Sequence, residues 1–490
     1  MDAHNQIAQR TLRLEKAAQT DWDIIIVGGG ITGAGIFRQA SLDGYKTLLV
    51  EKNDFASGTS WGSSKLIHGG LRYLEQYNFS LVAESIKEKS YLLTYAPHLV
   101  HPLPFMFPVF HNDRKPLWMI YLGTWLYALL ARFESTPTWF SSQKLLNKIP
   151  YLRAKGLTGG VLYQDAQTID ARLTLSSILS GLQDHAMAIN HCMCLAWIED
   201  SSKITGVRIQ DGLTQKSYHV QGKWIIDATG PWQESKYKDR VAMVYSKGSH
   251  LVIQDNPFQL TSAVTMFSPE DGRVMFCIPW LGHTLVGTTD EATQETPDHV
   301  ETTAKEVAYM QQTLQHYFPH QTNYTIISAF SALRTLIGST SKNLSALKRD
   351  HQINIPKSGL VQVYGGKLTA FTKIALDVMH AIQKQDGSAF SIRHHQTFAS
   401  VLDVEPLRLT AKDIETLITN EMACSVSDIL IQRTFCNLRL ADHGQQYIPL
   451  ITELLQKHFH YTDQQMHKQV HDYLQKCIAI DQLIKKESKA

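Results

Sequence analysis

Two short runs, the wholly apolar 24–27 (IIIV) and the nearly apolar 47–50 (TLLV), open the chain with the pattern of strands covered on both faces. A segment starting near Ile31 fits a helix between them, so the first fifty residues predict strand, turn, helix, strand. Residues 79–95 place Leu81, Val82, Ile86, Tyr91 and Leu92 at helical spacing, and Pro97, Pro102, Pro104 and Pro108 are expected to stop that helix. From residue 160 the rhythm changes: a strand (VLYQDAQTID), a helix over 173–185, a strand over 188–197, then a hairpin whose strand 224–227 ends in Ala228-Thr229-Gly230. Residues 244–337 carry short alternating segments (HLVI, RVMFCIPW, HTLVGTTD, TIISAFSALRTL), as an antiparallel sheet requires. An apolar strand over 360–364 runs into Gly365-Gly366-Lys367 and a helix over 368–382. Helices over 413–420, 448–458 and 464–477 fill the last hundred residues.

The pattern predicts an α/β chain with a discontinuous Rossmann-like domain (23–96, 151–243 and 338–389). A short helical preface (1–22), an antiparallel-sheet substrate domain (97–150 and 244–337) and a C-terminal helical cap (390–490) complete it. Its 490 residues exceed what one hydrophobic core organises. Residues 117–131 (LWMIYLGTWLYALLA) hold no charge, yet they fall short of the roughly 20 residues needed to span a bilayer. Burial is the expectation for this helix. The alternative is a segment lying in a membrane interface, where Trp118, Tyr121, Trp125 and Tyr127 would be at home.

Charge narrows the function. A net charge of +2 with 19% charged residues argues for a small-molecule partner and against a general nucleic-acid binder. Six scattered cysteines fit reduced thiols in a reducing compartment. Cys192 and Cys194 beside His191 offer too few ligands for a closed metal site, so no metal is predicted.

Gly28, Gly30 and Gly33 stand in GxGxxG spacing between the first strand and its helix, and Glu51 ends the second strand. In such a unit Gly28 permits the turn, Gly30 lets a pyrophosphate approach the backbone, Gly33 lets helix and strand pack closely, and the acid takes ribose hydroxyls. The pyrophosphate would sit at the positive end of the helix. The loop that follows, rich in Ser and Gly, is expected to lie over the ligand.

At GTSWGSSKLIHGGLRYLE, residues 58–75, the chain resembles the FAD-dependent glycerol-3-phosphate dehydrogenases, flavoproteins that pass electrons to a membrane quinone. GGGITGAG, KGSH (247–250), GTTD (287–290) and GGKLT (365–369) extend the resemblance, in the family's order, from about residue 23 to about 382. It implies FAD, here assumed to be non-covalent, held by Gly28, Gly30, Gly33, Glu51, Thr59, Ser60, Ser64, Lys65, Leu66, Gly230, Thr289, Asp290 and Lys367. It also implies attachment without spanning at the cytoplasmic face of the inner membrane, and a homodimer is a possible partner state.

A phosphorylated alcohol needs fixed cations, and arginine binds phosphate oxygens bidentately without losing its proton. By resemblance Arg334 and Arg349 match phosphate-binding positions, while Arg72, Tyr73 and Lys367 lie beside flavin and substrate. Oxidation also needs a base near the substrate hydroxyl. His250 and His68 are both candidates. Phe371, Thr372 and Thr335 depart from the family's residues at the edge of this site, which bears on substrate choice. An oxidase of another small alcohol or amine, and a flavin-binding membrane-surface protein without turnover, are the competing readings.

Overall fold

The computed structural model describes residues 5–70, 79–113, 115–131, 135–233, 241–338, 350–403 and 407–487. Its first sheet runs in the order His351–Asn354, Val361–Gly365, Ser217–Asp227, Trp22–Val27, Thr47–Val50, Ala186–Ile189. All neighbours are parallel except the first pair. Both faces of this sheet are covered. Ile24 and Ile26 meet the helices Ile31–Leu42 and Phe371–Asp386, whereas Ile25 and Val27 pack with Val207, Ile209 and Val220 of an antiparallel ribbon and with Leu14 of the helix Gln6–Gln19. The unbroken apolar runs record that double burial.

Among the described residues the second sheet has ten strands. Met243–Ile253 and Ile326–Ile337 pair antiparallel over their whole length, and Val100–Phe110 pairs likewise with Leu157–Thr168. Pro102, Pro104 and Pro108 therefore lie within a strand, beyond the helix Phe79–Tyr95 they were expected only to end. They share one parity, so their missing N–H groups fall on one edge and leave the other free to pair. The strand Leu66–Ile67 edges this sheet against Leu157–Thr168. The Ser/Gly loop thus crosses from the first sheet to the second.

Helices Ala411–Thr419, Ile448–Phe459 and Asp463–Glu487 enclose their own core, as the pattern predicts. The helix Leu117–Leu130 departs from expectation. Ile120, Thr124, Tyr127 and Ala128 are buried, but Trp118 is 63% exposed, Leu122 61% and Leu129 55%, so this apolar helix is covered on one side only. Among the described residues no helix is long and apolar enough to cross a membrane.

Candidate active site

The carboxyl ends of adjacent parallel strands deliver their turns to one cavity of about 1220 Å³. Gly28 follows Val27, Glu51 follows Val50, Ala228 to Gly230 follow Asp227, and Gly366 and Lys367 follow Gly365; all reach its wall. This is where open α/β sheets place ligands. The backbone is packed to its limit there. A Cβ on Gly28 (φ +114°) would stand 2.5 Å from the carbonyl oxygen of Ala228, and one on Gly33 only 1.9 Å from that of Gly28. Gly30 caps the helix Ile31–Leu42 at the cavity.

The carboxylate of Glu51 accepts hydrogen bonds from the N–H groups of Gly29 (2.7 Å) and Asn53 (2.8 Å). Burial raises its pKa, opposed by those two N–H groups. A half-buried acid of this kind is suited to accept further hydroxyl donors.

Ser60 and Ser64 line the cavity from the loop, together with Thr59, Leu66 and His68. The Ser60 hydroxyl accepts from the Ile31 N–H at 2.8 Å, and the Thr59 hydroxyl donates to the Leu333 carbonyl at 2.6 Å. Beneath the loop, the Lys65 ammonium pairs with Asp170 at 2.7 Å and donates to the Trp61 carbonyl, within 6 Å of the rings of Trp61, Trp280, Phe330 and Phe435. Its side chain therefore faces away from the cavity. Burial lowers its pKa and Asp170 opposes the shift. This pair anchors the loop from below.

The second sheet supplies the opposite wall. Arg334 donates to the Thr288 hydroxyl at 2.7 Å and pairs with Asp290 at 3.4 Å. Its guanidinium lies across Gly248, where a Cβ would meet Nη2 at 2.5 Å. His250 is buried with its ring stacked on Phe330 (centroids 4.9 Å apart, 12° between planes). Its Nε2 lies 2.9 Å from the Ser64 hydroxyl. Burial, then the charges of Arg334 and Lys65, holds its pKa well below the ordinary imidazole range.

The structure thus gathers Gly28, Gly30, Glu51, Thr59, Ser60, Ser64, Leu66, His68, Gly230, Asp290, Arg334 and Lys367 around one space. Gly33, Lys65, Thr289 and His250 stand behind its wall. Arg72, Tyr73 and Arg349 lie outside the described residues. Of the three departures, only Thr335 touches the cavity. Phe371 packs beside Gly35, and the Thr372 hydroxyl donates to Glu88, which also takes two hydrogen bonds from Arg393.

Sequence reading passed over Arg273, Asp165 and one side of the apolar helix. Arg273 lines the cavity and donates to the Asp290 carbonyl. Asp165, also on the wall, accepts from the Tyr127 hydroxyl (2.6 Å) and the Lys89 ammonium (3.2 Å). Met119, Ile120, Gly123 and Leu126 complete an apolar side with Phe105 and Phe107. The DGR turn before RVMFCIPW was the signal available for Arg273; helical spacing of the small and apolar residues in 117–131 was the signal for the rest.

A glycine turn with no room for a Cβ at Gly28 or Gly33, a helix N-terminus and a half-buried acid fit a dinucleotide such as FAD. At about 1220 Å³ the cavity exceeds the roughly 300–1,000 Å³ typical of a drug-sized ligand, in keeping with a ligand as large as a dinucleotide. Residues 23–375 match the FAD dependent oxidoreductase family. The chain is 34% identical over 392 residues to the aerobic glycerol-3-phosphate dehydrogenase of Bacillus subtilis (strain 168), covering 77% of this chain and 70% of that one. It is 36% identical over 376 residues to the enzyme of the same name from Staphylococcus haemolyticus (strain JCSC1435), covering 74% and 67%. The crystal structure of glycerol-3-phosphate dehydrogenase from Bacillus halodurans complexed with FAD superposes with a TM-score of 0.79 at 24% identity, over 96% of this chain and 97% of that one.

Proposed function

The chain belongs to the FAD-dependent oxidoreductase family, and from this premise we infer that it is a glycerol-3-phosphate dehydrogenase, oxidising sn-glycerol 3-phosphate to dihydroxyacetone phosphate. The observation that carries the reading is Arg334. Its guanidinium, braced by Thr288 and Asp290, stands on the wall of the cavity onto which the glycine turns and Glu51 also open. A phosphate dianion leaving water needs such a fixed cation.

Gly28, Gly30 and the start of the helix Ile31–Leu42 would hold the cofactor's pyrophosphate, and Glu51 its ribose hydroxyls. When bound, FAD supplies the acceptor for the hydride lost from C2 of the substrate. Lys367, following two glycines, supplies positive charge on the same wall. Arg72, Tyr73 and Arg349 are the further substrate contacts of this reading. The C2 hydroxyl must also lose a proton. Ser64 lines the cavity and its hydroxyl lies 2.9 Å from Nε2 of His250, which burial keeps neutral, so we assign the proton to His250 by way of Ser64. His68, on the wall itself, is the alternative base.

We further propose a membrane quinone as the electron acceptor, reached along the helix Leu117–Leu130. One side of this helix lines the cavity, while Trp118, Leu122 and Leu129 face outward. That exposure supports peripheral attachment to a membrane surface, which this reading places at the cytoplasmic face. Anaerobic addition of glycerol 3-phosphate to the purified flavoprotein tests the substrate: the flavin absorbance should bleach. Bleaching by a non-phosphorylated alcohol or an amine, with none by glycerol 3-phosphate, would replace this reading with that of a different oxidase.

A further inference from the structure

We propose that His191, Cys424 and Asp428 form a zinc-type metal site fastening the C-terminal helices to the strand loop beside Glu51. One ligand atom from each lies within 4.8 Å of the others, and His191 Nε2 stands 3.0 and 3.1 Å from the two Asp428 oxygens. Zinc bonds of about 2.0–2.3 Å place tetrahedral ligand atoms roughly 3.3–3.7 Å apart, so small side-chain movements bring these three around one ion. Thiolate, imidazole and carboxylate together suit zinc better than magnesium or calcium.

The backbone presets the ligands. His191 has a φ of 46°, uncommon for a residue with a side chain. It is held there because its N–H donates to the Asn53 carbonyl (2.7 Å) while its own carbonyl accepts from the Gly212 N–H (2.7 Å) and Arg10 (3.1 Å). Across the gap, Asp428 accepts from the N–H groups of Cys424 (2.9 Å) and Ser425 (3.1 Å), a turn that brings residues 424 and 428 to the same side. The His191 side chain is 24% exposed, which leaves water access to a fourth position. Binding releases the Cys424 thiol proton and any proton on the imidazole. The next residue, Cys192, donates its N–H to the Glu51 carbonyl at 2.7 Å, so the ion would tie the C-terminal helices to that strand end.

The test uses the full-length flavoprotein, stripped of metal and titrated with zinc sulfate against a chromogenic chelator. One zinc per chain is expected, with X-ray absorption reporting a sulfur neighbour. His191→Gln keeps an amide donor for Asp428 but removes the ligand nitrogen, and with Cys424→Ser it should weaken zinc on the order of 100-fold. Wild-type protein that takes up no zinc, an absorption spectrum with only nitrogen and oxygen neighbours, or His191→Gln binding zinc as tightly as wild type would overturn the proposal. The spectrum of the unmutated protein decides the matter even where a variant does not fold.

Discussion

The Ser64 hydroxyl lies 2.9 Å from Nε2 of His250, and only Ser64 reaches the cavity. On the proposed assignment, a proton leaving the substrate meets the serine before the imidazole. His250→Asn should lower kcat on the order of 10²–10⁴-fold with flavin retained, and Ser64→Ala should lower it by part of that. Wild-type activity in both variants would move the base to His68.

The pH profile follows from the same pair. Burial, then Arg334 and Lys65, disfavours the imidazolium of His250. The proton-accepting form persists below the value of about 6.5 for free imidazole, so kcat/KM should hold its plateau as pH falls through that point and drop only in more acid solution. Stability carries the same sign. With the folded pKa below the unfolded one, the histidine's contribution is complete above about pH 6.5 and is lost as pH falls towards the folded value. A titration of kcat/KM that breaks at or above 6.5 would contradict the assignment.

Arg334 is held at the cavity by Thr288 and Asp290. Replacing it by alanine removes a charge-assisted contact of about 1.5–3 kcal/mol, so kcat/KM for the phosphorylated substrate should fall about 10- to 150-fold, with KM carrying most of the change. Lysine should restore part of it, because a point charge remains but the fork does not. Steady-state kinetics of the three proteins decide; an unchanged KM in Arg334→Ala would place the phosphate elsewhere.

Two glycines on the chain's apolar elements should respond oppositely to alanine. At Gly33 a Cβ meets the Gly28 carbonyl oxygen at 1.9 Å, and the turn beneath the cofactor must open. Lost flavin and a stability cost of about 1–3 kcal/mol are expected. At Gly123 nothing lies within 4 Å of the added carbon. Flavin content and melting temperature should there stay near wild type or rise slightly, since alanine favours the helix.

Much of this site was legible before folding because its signals are local. Gly28, Gly33 and Glu51 announce themselves by spacing along one βαβ unit. His250 shows the limit of such reading: the motif marks the residue, but only the crossing of Ser64 from the other sheet shows that a hydroxyl stands between it and the cavity. Lys65 has the same history. Its place in a cofactor loop suggested a ligand contact, while the partner that turns its ammonium inward, Asp170, lies 105 residues away. The prolines of Val100–Phe110 misled for a related reason, since whether proline breaks a segment depends on which edge its neighbour occupies.

The helix Leu117–Leu130 carries the last prediction. An apolar helix is buried when the protein has something to cover it, yet here Trp118, Leu122 and Leu129 are left in contact with solvent while Met119, Ile120, Gly123 and Leu126 line the cavity. Exposed tryptophan on such a helix is best satisfied at a lipid interface, where an apolar ring and a polar N–H are both accommodated. Changing Trp118 and Trp125 to serine should release the protein from anionic phospholipid vesicles in a sedimentation assay. Reduction of the flavin by glycerol 3-phosphate should be unaffected, because neither tryptophan lines the cavity. Turnover with a long-chain quinone in those vesicles should fall, and turnover with a water-soluble acceptor should not. Undiminished sedimentation of a correctly folded variant would assign this apolar face to a protein partner instead of a membrane.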